Sequence, residues 1–370
     1  MSVYKRVISE LEERRDRVLS GKVNCIPWGL PRFEQASGIP GIEQGKYYLI
    51  TANQKVGKSQ ITDHLFIFNA LKQAKDAGIT LKIFYFSLEM SAEVKLAQAM
   101  SNYLYTKYNI RIAPVDLRST QASKLLPEKV LQILKSEEAY FKELTDSVTY
   151  IDNIRHATGI YKFMEQYALD NGVQYKKKVE WKNNRTGELT TREIDDYYEA
   201  DDPDEYVMTV IDHMSLLSTE KVDGKGLSLH QCITQLSSKY LIKLRNKYKY
   251  IPVVIQQQAQ AQESLDNMKY GKLKPTADGL GDNKLTARDV DVIFGLFSPH
   301  RHKIRMYPEQ DGYEIGRFKD NIRFLEVTAS RQGGAGTIIP LFFDGAVNYF
   351  EELPLPNNPK LNNFYKLVTS

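Results

Sequence analysis

The run Ala52-Asn53-Gln54-Lys55-Val56-Gly57-Lys58-Ser59 follows an apolar stretch, YYLIT, that predicts a strand, and it opens a segment that predicts a helix. A phosphate-binding loop requires that setting. Backbone N–H groups of such a loop, with the positive end of the helix dipole, can surround a triphosphate. Gly57 permits close approach, Lys58 can reach the β- and γ-phosphates, and Ser59 can ligate Mg²⁺. Ala52 stands where the usual pattern has its first glycine. The chemistry implied is binding and cleavage of ATP with Mg²⁺.

Such a loop needs a second acid for the metal. Val207-Met208-Thr209-Val210-Ile211-Asp212 is an apolar strand ending in a carboxylate, which makes Asp212 the candidate. Hydrolysis also needs a group that polarises water. Glu89, in Phe86-Ser87-Leu88-Glu89-Met90-Ser91, follows another predicted strand and would lie at the carboxyl edge of the sheet, where ligands bind in open α/β folds.

These residues are useful only if strands and helices bring them together. From Gly38 the chain reads as repeated strand-then-helix units. Strands are predicted over 47–51, 82–86, 148–152, 206–212, 252–256 and 291–297, with two more over 324–328 and 337–343. Helices are predicted over 60–77, 92–105, 127–144, 159–171 and 229–248. The alternation implies an α/β fold, a mostly parallel sheet flanked by helices on both faces. Residues 3–19 place Val3, Val7, Ile8, Leu11, Val18 and Leu19 on one helical face, which must pack on the protein's own core or on a neighbouring subunit. Residues 173–192 break the rhythm and predict an inserted β-hairpin turning around Asn184-Arg185-Thr186-Gly187, followed by an acidic run from Glu193 to Glu205. From Pro354 the chain, rich in Asn and Pro, reads as a surface tail.

Composition narrows the classes. Of 370 residues, 26% are charged and 42% hydrophobic, which supports a packed core and excludes a disordered chain. No stretch approaches the roughly 20 apolar residues of a membrane span, and the charged N-terminus is unlike a signal peptide. A cytoplasmic protein with no membrane partner is expected. Cys25 and Cys232 are too few and too far apart for a disulfide framework or a cysteine-rich zinc site. His300 and His302 flank Arg301 without neighbouring acids, a poor metal site. The net charge is +4, but residues 173–205 hold six basic and ten acidic side chains, which leaves +8 on the remainder. A basic body with an acidic appendage permits polyanion binding.

In order along residues 25–352, the phosphate loop, Phe86-Ser87-Leu88-Glu89-Met90-Ser91, Tyr150-Ile151-Asp152, Ile211-Asp212, Pro252-Val253-Val254 leading to Gln258, and Ser330-Arg331-Gln332-Gly333-Gly334-Ala335-Gly336-Thr337 resemble the RecA-like motor domain of DnaB-type replicative helicases. The resemblance implies a RecA-like P-loop NTPase core over 25–353, a linker helix over 1–24, an insertion at 173–205 without family counterpart and a tail over 354–370. It implies Lys58 and Ser59 on phosphate and Mg²⁺, Glu89 as catalytic glutamate and Asp212 as metal aspartate. Gln258, whose amide can donate to phosphate and accept from water, becomes the γ-phosphate sensor, and Arg331 the arginine finger that reaches a neighbour's ATP. DNA contact is implied for residues 259–289, where Lys269, Tyr270, Lys272 and Lys274 could track phosphates and stack a base.

The implied activity is ATP hydrolysis by a ring-forming helicase, a hexamer acting on single-stranded DNA, with a primase or loader as further partner. A phage or mobile-element origin fits the missing primase-binding domain. The chain departs from the family at Ala329, where a lysine is usual, so that catalysis is expected either to be slower or to rely on another residue such as Arg323. The rival expectation is a RecA- or KaiC-like ATPase that forms recombinase filaments or a regulatory scaffold.

Overall fold

A computed structural model describes residues 3–182, 187, 189–222, 224–269 and 272–369. The central sheet has nine strands: β1 (Tyr48–Ala52), β2 (Thr80–Ser87), β3 (Val148–Ile151), β6 (Glu205–Asp212), β7 (Ile251–Gln257), β8 (Val292–Phe297), β9 (Ile322–Ser330), β10 (Ile338–Asp344) and β11 (Tyr349–Glu352). β4 (Gly172–Lys182) and β5 (Leu189–Ala200) form a separate antiparallel pair. The sheet order is β11-β10-β9-β8-β1-β7-β6-β2-β3. From β8 to β3 every pairing is parallel; β9, β10 and β11 extend the sheet antiparallel. All eight strands expected from sequence are present. β11, only four residues long, is not among those the sequence predicts.

Both faces of the sheet are buried, so its strands read as continuous apolar runs rather than alternating ones. The alternation survives in the packing. Tyr48, Ile50, Met208, Val210, Val253 and Ile255 face one core, and Leu49, Val207, Ile211 and Val254 face the other. Helix α2 (58–77) and helix α3 (Ala92–Tyr108) cover the first face through Ile61, Leu65, Phe66, Ala99 and Tyr103. Trp28, fully buried, packs edge-on against Phe33, Tyr48, Phe66 and Phe294 and so anchors the N-terminal stretch there. Helix α6 (Ala157–Asp170) and helix α7 (229–248) cover the second face. The single helix expected over 127–144 is two, α4 (Glu128–Ser136) and α5 (Glu138–Ser147). The break falls at Glu137, whose carboxylate gathers Tyr103, Lys107 and Tyr108.

Helix α1 (Val3–Leu19) forms as expected, but its polar side meets the body. Arg14 pairs with Glu43 at 3.1 Å and Arg17 pairs with Asp204. The apolar stripe of Val7, Leu11 and Val18 faces outward, 47–59% exposed.

Two further expectations are corrected. The acidic run does not follow the hairpin; residues 193–200 are part of its second strand, because Glu193 and Asp195 register opposite Lys178 and Lys176. The expected turn at Asn184-Arg185-Thr186 lies outside the described residues. Near the C-terminus, helix α8 (Leu361–Thr369) replaces the expected tail from residue 361 onward. Leu361, Phe364, Tyr365 and Val368 recur at helical spacing and join Phe318 and Phe342 in a third cluster. Among the described residues no helix is long and apolar enough to cross a membrane.

The hairpin is tied at its base, where the Tyr198 hydroxyl donates to the Ala168 and Asn171 carbonyls at 2.8 and 3.0 Å. Beyond that its attachments include the partly exposed ion pair of Asp195 with Lys247 at 2.6 Å, worth about 1 kcal/mol or less. Replacing residues 175–197 with Asn-Gly keeps Gln174 opposite Tyr198 and should lower the melting temperature by no more than a few degrees in calorimetry. A drop beyond about 10 °C would make the hairpin part of the core's stability.

Candidate functional site

Parallel pairing brings the expected site residues to one edge. Ser87 of β2 registers with Asp212 of β6, and Gln257 of β7 with Ala52 of β1, so these strands end level at their carboxyl side. The loop from Ala52 to Ser59 crosses this edge and enters α2. Gly57, at φ +106°, adopts a conformation that a side chain resists, and Phe343 packs beside it. Lys55 takes a left-handed conformation at φ +58°. Ala52 in the first position remains inside the strand, its carbonyl accepting from Gln258 N at 3.1 Å.

Lys58 folds back over the loop and donates to the Asn53 carbonyl at 3.0 Å. Burial lowers its pKa to about 8, against the opposing pull of Asp212 and Glu89. Ser59 Oγ donates to Asp212 Oδ1 at 3.0 Å, and the Tyr85 hydroxyl donates to Asp212 Oδ2 at 2.7 Å. A serine hydroxyl beside a carboxylate is an oxygen donor set that suits Mg²⁺, which binds through few protein oxygens and completes its shell with phosphate and water. The residues present therefore fit the metal that the sequence implies.

Glu89 stands at the same edge with its side chain 54% exposed, Oε2 lying 3.9 Å from His213 Nε2. His213 contacts Gln257 Nε2 at 3.2 Å through the same ring nitrogen. An amide nitrogen only donates, so that ring nitrogen accepts. Burial keeps the His213 pKa below its ordinary value, with Asp212 and Glu89 pulling the other way. Gln258 is buried; its amide donates to Thr51 Oγ1 and to the Thr276 carbonyl, both at 2.9 Å, and accepts from Thr276 N at 3.2 Å. It thus joins the strand beneath the phosphate loop to the segment 259–289.

That segment is not a plain loop. Gln260–Glu263 and Leu265–Lys269 make short helical turns, and Leu273 and Leu280 are buried. Lys274 pairs with Glu326 of β9 at 3.0 Å, and Lys269 and Lys272 lie at the surface. Tyr270 lies outside the described residues.

The two late arginines part company. Arg323, at the start of β9, is fully buried and donates to the Val56, Asp320 and Ile322 carbonyls at 2.8 to 2.9 Å, so it braces its own phosphate loop and cannot stand in for a cation offered to a neighbour. Arg331 lies past the other end of β9. Ser330 registers with Val292, and Val292 with Tyr48, at the amino edge of the sheet. The four residue steps from Tyr48 to Ala52 span about 13 Å. Arg331 is 56% exposed there, its guanidinium donating to the Arg288 carbonyl and lying 3.6 Å from Asp291.

Sequence reasoning misses Arg301. In the sequence it is only the residue between two histidines, yet its Nη1 donates to the Gln54 carbonyl at 2.7 Å and it grips Glu263 through Nε at 2.7 Å and Nη2 at 3.1 Å. A cation thus sits against the phosphate loop, linking it to the segment after Gln258. No sequence signal marks it, because its partners are 247 and 38 residues away.

Two solved structures are similar in fold. A DnaB-like replicative helicase, described with its interactions with primase, aligns with a TM-score of 0.61 and 17% identity over 96% of this chain and 67% of that one. The ATPase domain of G40P aligns with a TM-score of 0.59 and 17% identity over 95% and 99%. Neither a protein-family model nor a curated protein matches the sequence. The fold is RecA-like, as the motif order implies.

Lys58 supplies a direct check on nucleotide binding. Above pH 8 it is largely neutral in the free protein, and bound phosphates favour the ammonium form. ADP binding at pH 8.5 should therefore take up protons, as read from calorimetry in buffers of different ionisation heat, and affinity should fall as pH rises further. Proton-neutral binding would contradict this.

Proposed function

We propose that this chain is the motor of a ring-forming, ATP-dependent DNA helicase that translocates on single-stranded DNA and hydrolyses ATP at its subunit interfaces. What carries the reading is Arg331: it is exposed and stands at the sheet edge opposite its own phosphate loop, whereas Arg323 is consumed inside the fold. An arginine so placed is available to a neighbour's nucleotide. The outward apolar stripe of α1 also favours self-assembly, because a lone helix gains nothing by exposing it.

In this reading Lys58 and the loop amides hold the β- and γ-phosphates, and Ser59 and Asp212 hold Mg²⁺, which when bound neutralises charge on those phosphates. Glu89 polarises the attacking water from the exposed side of the site. Gln258 reports the γ-phosphate to residues 259–289 through its paired bonds with Thr276. Single-stranded DNA and identical subunits, probed first as a hexamer, are the partners. A primase or loader is the outside protein to seek, since one structural relative is described with its primase.

Arg331→Ala and Lys58→Ala should each be nearly inactive in ATP turnover, a finger arginine being worth about 10³ to 10⁵ in rate. Mixed before assembly, they should recover part of the activity, because some interfaces then join an intact Lys58 to an intact Arg331. A fully active Arg331→Ala protein would sink the assignment.

Neutralising Lys269 and Lys272 should reduce the salt slope of single-strand binding by about 0.7 for each phosphate that is no longer paired with a lysine. Lys274, which pairs with Glu326, is kept in this variant. An unchanged slope in the Lys269 and Lys272 variant would move the DNA path elsewhere.

A further inference from the structure

Behind Asp212 lies a buried chain of polar groups that the reaction above does not use. Asp212 Oδ2 accepts from Tyr85, and the Tyr85 oxygen in turn accepts from Lys95 Nζ at 3.0 Å. Lys95 also donates to Asp63 Oδ1 at 2.8 Å and Oδ2 at 2.7 Å. Its side chain is 1% exposed and that of Asp63 3%. Asn348 adds a bond to Asp63 Oδ2 at 3.0 Å and is itself held by Asn102, which donates to its carbonyl at 2.7 Å.

We propose that Tyr85 and Lys95 are positioning residues for the metal-binding carboxylate of Asp212, a proposal that rests on Ser59 and Asp212 being the Mg²⁺ site. Three features support it. An ammonium has three donors and no acceptor, and Lys95 spends all three on Asp63 Oδ1, Asp63 Oδ2 and the Tyr85 oxygen. The phenol must therefore accept from Lys95 and aim its one hydrogen at Asp212. The direction of the chain is thereby fixed.

The chain also closes on itself. Asp63 stands four residues after Ser59, one turn along the helix that leaves the phosphate loop. The circuit runs from Ser59 to Asp212, Tyr85, Lys95 and Asp63, then back along one helical turn to Ser59. Both oxygens of Asp212 are pinned relative to the serine that would share the metal. Because Lys95 and Asp63 are oppositely charged and paired, they add little net charge behind Asp212 and act on it through the Tyr85 hydrogen bond. Partners behind a metal ligand commonly govern affinity in this way.

The test measures Mn²⁺ binding to the ADP-loaded full chain by electron paramagnetic resonance titration, beside ADP binding in EDTA and thermal unfolding. Tyr85→Phe breaks the relay and leaves the Lys95–Asp63 pair intact. It should weaken Mn²⁺ about tenfold and leave metal-free ADP affinity unchanged. Lys95→Met with Asp63→Leu removes both charges together, so that neither is stranded. It should weaken Mn²⁺ similarly, and adding Tyr85→Phe to it should weaken Mn²⁺ little further. Parental Mn²⁺ affinity in Tyr85→Phe overturns the proposal even where the double variant fails to fold. A change in unfolding temperature alone, with Mn²⁺ affinity intact in either variant, assigns the network to stability and also overturns it. Asp212→Asn separates the two ideas: should it bind Mn²⁺ like the parent, the metal site itself is misplaced, whereas its failure beside a normal Tyr85→Phe refutes only the positioning role.

Discussion

The hydrogen bond from Ser59 to Asp212 joins residues 153 positions apart, and it exists because β1, β7, β6 and β2 run parallel and end level. A parallel sheet directs every carboxyl end to one side. Whatever follows those strands is therefore gathered without any local signal. The phosphate loop, Glu89, Asp212 and Gln258 follow four different strands and share one edge for that reason alone. Slipping one pairing by a residue would turn every side chain of the strand to the other face. The two-sided apolar core prevents such a slip: Met208 and Val210 belong to one cluster while Val207 and Ile211 belong to the other.

The antiparallel extension has the complementary effect. β9 leaves the phosphate-loop edge with Arg323 under Val56 and arrives at the opposite edge with Arg331 in solvent. One strand thus carries an arginine that serves its own site and another that its own site cannot use. Nothing in the composition of residues 322–331 separates the two; the direction of the strand that joins them does.

Polar groups around the site are costly to bury and are correspondingly paired. Asp63, Lys95, Tyr85 and Asp212 satisfy one another in sequence, and Arg323 spends its donors on backbone carbonyls while its guanidinium lies over Phe343. Removing one member of such a set strands the rest. The nucleotide loop is thus held on one side by Arg323 and on the other by Arg301, each making bonds to loop carbonyls.

The sequence by itself determined eight of the nine strands of the sheet, most of the helices and the candidate residues for chemistry. Apolar runs and a loop bounded by strand and helix are local signals, written in consecutive residues. Ser59, Glu89 and Asp212 could be named because they lie in such a loop or at the end of such a run, whereas Gln258 entered only through the family resemblance. Only the tertiary structure decided which arginine faces inward, that Lys274 is held by Glu326, that Arg301 braces the loop, and that Lys95 and Asp63 stand behind Asp212. Those facts depend on contacts between residues 32 to 267 positions apart. A helix-borne lysine such as Lys95 looks like any surface cation until packing removes its water. The same limit hid α8, whose apolar residues have a helical spacing but whose length is marginal until Phe318 and Phe342 supply a surface to cover.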